Sequence, residues 1–142
     1  MAHSSTSSFQ FKNYIISKAQ FEIDNANIGT DLQFEIEPSV EKTDESRFVI
    51  TLDIQVSDSE KHMKFTFTIS GFFECTANDA NVINYMSVNG PAIIFPYIRA
   101  YVTNMTALSG IKPIIIPTLN LSGLGPKIKE QITKDIFYLY LF

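Results

Sequence analysis

The sequence predicts an α+β fold, a four-stranded antiparallel sheet with helices on one face, and three observations predict it. Residues 9–74 contain four stretches in which apolar and polar side chains alternate, the period of a half-buried strand. After Cys75 the spacing of apolar residues changes to threes and fours, the period of a helix. Strands come first and helices after, which favours helices segregated to one face of an antiparallel sheet.

The elements follow in order. Residues 1–8, "MAHSSTSS", form a polar, flexible leader without the apolar core of a signal peptide. The remainder, 9–142, reads as one domain: 142 residues with 45% apolar and 18% charged side chains suffice for a single core. In the first strand Phe9, Phe11, Ile15, Ala19, Phe21 and Ile23 occupy odd positions. Asn13, Ser17 and the apolar even pair Tyr14 and Ile16 interrupt that alternation. "NANIGTD" (Asn25–Asp31) breaks the strand with turn formers.

Leu32, Phe34 and Ile36 define a second strand, which Pro38 is expected to stop. Ile50, Leu52, Ile54 and Val56 mark the third, and Met63, Phe65, Phe67 and Ile69 the fourth, ending near Gly71. Residues 78–109 are helical: a short helix capped by Asn78 or Asp79, then a long one in which Ile94, Ile98, Tyr101, Met105 and Leu108 share a stripe. Pro91 fits its first turn, but Pro96 lies inside it, where the missing N–H and ring clash cost about 3 kcal/mol. An apolar crossover loop spans 110–125 and a last helix 126–142, with Ile128, Ile132 and Ile136 on one stripe and an apolar "IFYLYLF" end. That end is too short to cross a bilayer.

Composition excludes several functions. A formal charge of −4 with eleven scattered basic residues offers no face for a phosphate backbone, so nucleic acid is not a partner. His3 and His62 lack ligand-spaced companions, which argues against a metal site, and no cofactor is expected. Cys75 stands alone, excluding an internal disulfide and fitting a cytoplasmic location. Asp44 and Glu45 belong to a charged turn, and "SGLGP" (Ser122–Pro126) lacks the Lys-Ser/Thr ending of a phosphate loop. Nothing assembles a nucleophile, a base and an oxyanion donor, so the chain is not expected to be an enzyme. What stands out is apolar side chain in excess of one helical lid, which predicts subunit interfaces or an exposed apolar groove.

Residues Asn89–Leu124 carry a more specific pattern: Pro91, an apolar run, Phe95-Pro96-Tyr97, Arg99, then Gly110, Pro113, Pro117 and Asn120. Together with "FQFKNYIISKAQFE" (Phe9–Glu22) this resembles the bacterial export chaperone family SecB over nearly the whole chain. The resemblance implies an ATP-independent holdase for unfolded preproteins, assembled as a homotetramer, a dimer of dimers. It implies that the long helix packs at subunit interfaces, through Ile94, Ile98, Tyr101, Met105 and Leu108. The second strand, crossover loop and last helix would line a client groove, with Leu32, Phe34, Ile36, Ile114, Ile116, Leu119, Leu121, Leu124, Ile128 and Ile132 as its residues. It also implies that acidic residues on the solvated sheet face engage the export motor SecA, at positions corresponding here to Lys18, Glu22 and Thr66. Only Glu22 is acidic, and the family's acidic C-terminal tail is absent. A SecB-like chaperone dedicated to one partner, such as the antitoxin of a toxin–antitoxin pair, is therefore the alternative. A carrier of a small lipid-like ligand is a third reading, with Thr118, Asn120 and Ser122 as its few polar anchors.

Overall fold

The computed structural model of the chain describes residues 8–76 and 79–141. Four antiparallel strands, β1 (Phe9–Ile23), β2 (Leu32–Lys42), β3 (Arg47–Asp58) and β4 (Met63–Cys75), form one sheet in the order β1-β4-β3-β2. Three hairpin-linked strands with the first returned beside the fourth make a Greek key, so β1 and β2 are the two edges. Helix α1 (Asp79–Asn84) passes through a π-helical turn (Tyr85–Asn89) into α2 (Gly90–Leu108). A 3₁₀ turn (Leu121–Gly123) then precedes α3 (Leu124–Leu141). The leader through Ser7, Asn78, one of the two residues expected to cap the short helix, and the side chains of the terminal apolar stretch, Ile136 included, lie outside the described residues.

The core is the inner face of β3 and β4 under the helices. Phe48, Ile50, Leu52, Ile54 and Val56 alternate along β3, and Met63, Phe65, Phe67, Ile69 and Phe73 along β4, all buried. Gly71 sits where α2 comes closest: a Cβ there would fall 2.7 Å from Ile94 Cδ1, so glycine makes room for the helix. The stripe expected to face another subunit docks on the chain's own sheet. Ile94 and Ile98 are buried, Tyr101 meets Phe65 and Phe67 at 5.6 and 5.0 Å between ring centroids, and Met105 packs half-buried against the core. Of the five, only Leu108 faces solvent, at 83% exposure. Pro96 lies within α2 on its exposed side, so the helix continues past it.

Strand β1 explains its own broken pattern. Its pairing with β4 skips between Phe11 and Asn13 and between Ile16 and Lys18, so Lys12 and Ser17 are bulge residues. Each bulge shifts the alternation by one. Tyr14 and Ile16 therefore sit opposite Gly71 and Ile69 of the inner face, and Ile15, expected inside, is 49% exposed opposite Ser70.

Two further expectations are corrected. Pro38 does not end β2, which runs on to Lys42 in unbroken register with β3. An edge strand tolerates a residue without an N–H, because every second residue points its backbone away from the ladder. The last helix begins at Leu124 rather than Pro126, which places the proline in its first turn.

The Greek-key crossover is pinned to the β3–β4 hairpin that it passes. Asp58, 1% exposed, accepts hydrogen bonds from Gly29 N–H at 2.7 Å and Met63 N–H at 2.9 Å. Burial alone would raise its pKa, but these backbone donors, joined by the N–H groups of Asp58 and His62, hold it below the usual carboxylate value. His62 Nδ1 lies 2.6 Å from the Asn27 carbonyl, the main cause of a raised pKa, reinforced by Asp24, Asp58 and Glu60 against a desolvation effect that lowers it. Asp44 accepts from Ser46 and Arg47 N–H and shapes the β2–β3 turn.

Candidate functional site

The crossover loop is anchored at its start. On the last turns of α2, Thr103 Oγ1 donates to the Ile114 carbonyl at 2.8 Å, and Thr106 Oγ1 accepts from Ile114 N–H at 2.9 Å. Both backbone groups of Ile114 are thereby satisfied, and this sets the phase of the isoleucine run. Ile114 and Ile116 turn into the core while Ile115 is 72% exposed. At the far end of the loop Asn120 caps the 3₁₀ turn by accepting from Ser122 N–H at 3.0 Å. That contact uses a polar group that a ligand-carrier reading would need as an anchor.

Between β2 and this turn lies an apolar groove of about 280 Å³, lined by Phe34, Ile36, Leu119, Asn120, Leu121, Gly123 and Leu124. Of the ten residues expected to line it, Phe34, Ile36, Leu119, Leu121 and Leu124 do so. Leu32, in the same strand, is half-buried against the core. Ile114, Ile116, Ile128 and Ile132 are not on the groove wall; they are buried core residues, because the loop clamp and the packed face of α3 turn them inward.

The groove runs along the β2 edge, and α3 covers part of that edge. Gln131 Oε1 accepts from Val40 N–H at 2.7 Å while its Nε2 donates to the Pro38 carbonyl at 3.2 Å. One carboxamide thus stands in for a neighbouring strand, a device that no periodicity in the sequence signals. Lys127 pairs with Glu37 at 3.1 Å beside it.

The opposite, solvated face of the sheet carries Lys18, Glu22 and Thr66, on β1 and β4 opposite Thr68, Lys64 and Gln20. A shallow cleft of about 590 Å³ takes in Lys18 and Thr66 together with Glu35, Glu37 and Asp53. The carboxylates of this face are concentrated toward β2 and β3 rather than β1. No group of three or more metal-ligating side chains occurs among the described residues, and no helix there is long and apolar enough to cross a membrane.

Comparison with known proteins gives concordant matches. The family model described as "Preprotein translocase subunit SecB" matches residues 4–131. The uncharacterized protein MJ0357 of Methanocaldococcus jannaschii is 26% identical over 137 residues, spanning 85% of this chain and 84% of that protein. Among solved structures, the Mycobacterium tuberculosis SecB-like chaperone Rv1957, in complex with a ChAD peptide from the Rv1956 HigA1 antitoxin, superposes with a TM-score of 0.66. Its identity to this chain is 19%, over 78% of this chain and 90% of that one, so the likeness is one of fold.

Proposed function

The chain belongs to the SecB family of chaperones, and from that premise we propose that it is an ATP-independent holdase that binds unfolded or nascent polypeptides in the β2 groove, in the cytoplasm and in the service of protein export. The observation that carries this reading is the groove of Phe34, Ile36, Leu119, Leu121 and Leu124 left open beside a sheet edge. Each apolar side chain that a client buries there is worth roughly 1.5–3 kcal/mol, enough for weak binding of many sequences. Several such grooves on one assembly would add avidity. Folded proteins hide such segments and are passed over.

A homotetramer, a dimer of dimers, is part of the proposal. Supporting it, β1 is a fifteen-residue edge with exposed Tyr14 and Ile15, and Tyr97 of α2 stacks on Tyr14 at 4.3 Å. A long exposed edge is a surface that proteins cover. The other side of α2, with Pro96, Arg99, Ala100 and the nearby exposed Ile115, is open as well.

The test is suppression of aggregation of a chemically unfolded client at near-stoichiometric ratio without nucleotide. Absence of suppression across several clients overturns the holdase reading. A second reading, a chaperone dedicated to one partner such as an antitoxin, is favoured by the Rv1957 fold and its antitoxin peptide. The mixed charge at Lys18, Glu22 and Thr66, the positions expected to face SecA, favours it too. Pull-down from the native host separates the two: one dominant partner supports the dedicated chaperone, a spectrum of nascent chains the export holdase.

A further inference from the structure

The two edges of the sheet match each other. Neighbouring strands alternate in direction, so β1 and β2 run antiparallel. A second copy translated along the sheet would therefore set its own β1 beside β2 as the next antiparallel strand, with its helices on the same side. Both faces would continue across that seam. On the helix side Phe11 and Phe21 of β1, like Phe34 and Ile36 of β2, are half-buried apolar residues packed on the core. On the solvated side β1 carries Lys12, which reaches Glu74 there at 3.8 Å, and Lys18, while β2 carries Glu35, Glu37 and Glu41. Two β2 edges would set glutamates against glutamates, which disfavours pairing of like edges. Unlike edges pair head to tail, and such contacts grow into an open row unless their rotation closes a ring.

The second half of β2 is built against that contact. Val40 N–H and the Pro38 carbonyl point away from β3, toward Gln131. Within a strand the N–H and C=O of one residue point the same way, so proline at position 38 removes a donor on the outward side. The Pro38 carbonyl and the Val40 N–H are both taken by the Gln131 carboxamide, at 3.2 and 2.7 Å. On the same helix Lys127 holds Glu37 at 3.1 Å, occupying a glutamate that would meet a lysine of β1. We propose that Pro38 and Gln131 form a cap that keeps copies of this chain from joining β1 to β2 in an open row, so that assembly through the β1 edge stays closed. Edges are commonly blunted by proline and by covering elements, and here a matched partner edge on the same chain makes the cap necessary. The role is independent of what the groove binds.

The full chain is compared with Gln131→Ala, Pro38→Val and the double variant by sedimentation velocity across a range of concentrations. The wild-type mass is expected to hold, while the mean mass of the double variant rises by about twofold or more as an open-ended series. Amide exchange at Val40 locates the contact. In Gln131→Ala it is expected to be fast in dilute solution and to slow by about tenfold or more as concentration rises. A double variant that keeps the wild-type mass, with Val40 exchange indifferent to concentration, overturns the cap. So does growth during which Val40 still exchanges fast, because that is aggregation by another route. Growth that stops at twice the wild-type mass shows pairing of like edges and overturns the open row. Adding Lys18→Glu to the double variant is expected to suppress growth; undiminished growth removes β1 as the matching edge.

Discussion

The hydroxyl of Thr106, wholly buried, accepts a hydrogen bond from the backbone N–H of Ile114 at 2.9 Å. One side chain of α2 thus holds the crossover loop against the core. Thr106→Val keeps the shape and strands a buried N–H, at a cost of about 1–3 kcal/mol. Urea unfolding is expected to show that loss, and Thr106→Ser to recover most of it.

Groove and core residues are separable. Leu121→Ser and Phe34→Ser are expected to reduce suppression of client aggregation by about tenfold, a loss of about one buried apolar contact, with little change in melting temperature. Ile128→Ala, at a fully buried position, is expected to cost about 2–5 kcal/mol of stability. Equal melting temperatures for all three variants would show that Ile128 is not core.

Two groups at the crossover predict a pH dependence of opposite sign. The pKa of Asp58 is lowered from 3.8 by its backbone donors, so its contribution is present above that value and lost as pH falls through the folded pKa. The pKa of His62 is raised from 6.5, so its contribution is full below 6.5 and lost as pH rises through the folded value. Urea midpoints across pH should lose the alkaline decline in His62→Gln and the acid one in Asp58→Asn. The latter is also expected to be about 1–3 kcal/mol less stable at neutral pH, because Gly29 and Met63 bond different carboxylate oxygens and an amide keeps only one of the two as an acceptor.

Pro96→Ala restores a donor for the Ala92 carbonyl on an exposed side of α2 and is expected to stabilise the isolated fold by up to about 3 kcal/mol. Assembly is expected to weaken, read as dissociation at higher concentration in light scattering. Unchanged assembly would assign the proline no part in the interface.

Much of this architecture was legible because it depends on period. The alternation along β3 and β4 and the Ile94–Ile98–Tyr101 stripe are local patterns, and they located the sheet and the helix that covers it. Which neighbour the stripe meets is not local, and the sheet's own need for cover at Gly71 claimed Ile94 and Ile98 first. Within the loop, the three isoleucines 114–116 are identical to a sequence reading. Their phase is set by Thr103 and Thr106 from another element, so Ile114 and Ile116 could not be told from groove residues. Pro38 resembles a terminator in the sequence because its place on a sheet edge is not a local property, and Gln131 carries no signal because its partners lie more than ninety positions away.

The two bulges of β1 act as a parity error and its correction. Fifteen residues are matched to the thirteen of β4, and the surplus pair, Lys12 and Ser17, brackets a window that is inverted relative to the rest of the strand. Deleting Lys12 alone would leave Phe11 directly before Asn13, opposite Phe73 and Phe72 as before, so that bulge would close with Phe9 and Phe11 still on the core side. Deleting Lys12 and Ser17 together would leave thirteen residues facing the thirteen of β4 rung for rung, every partner unchanged. This edge can therefore lose a residue at either bulge, singly or at both, without turning any paired side chain to the other face.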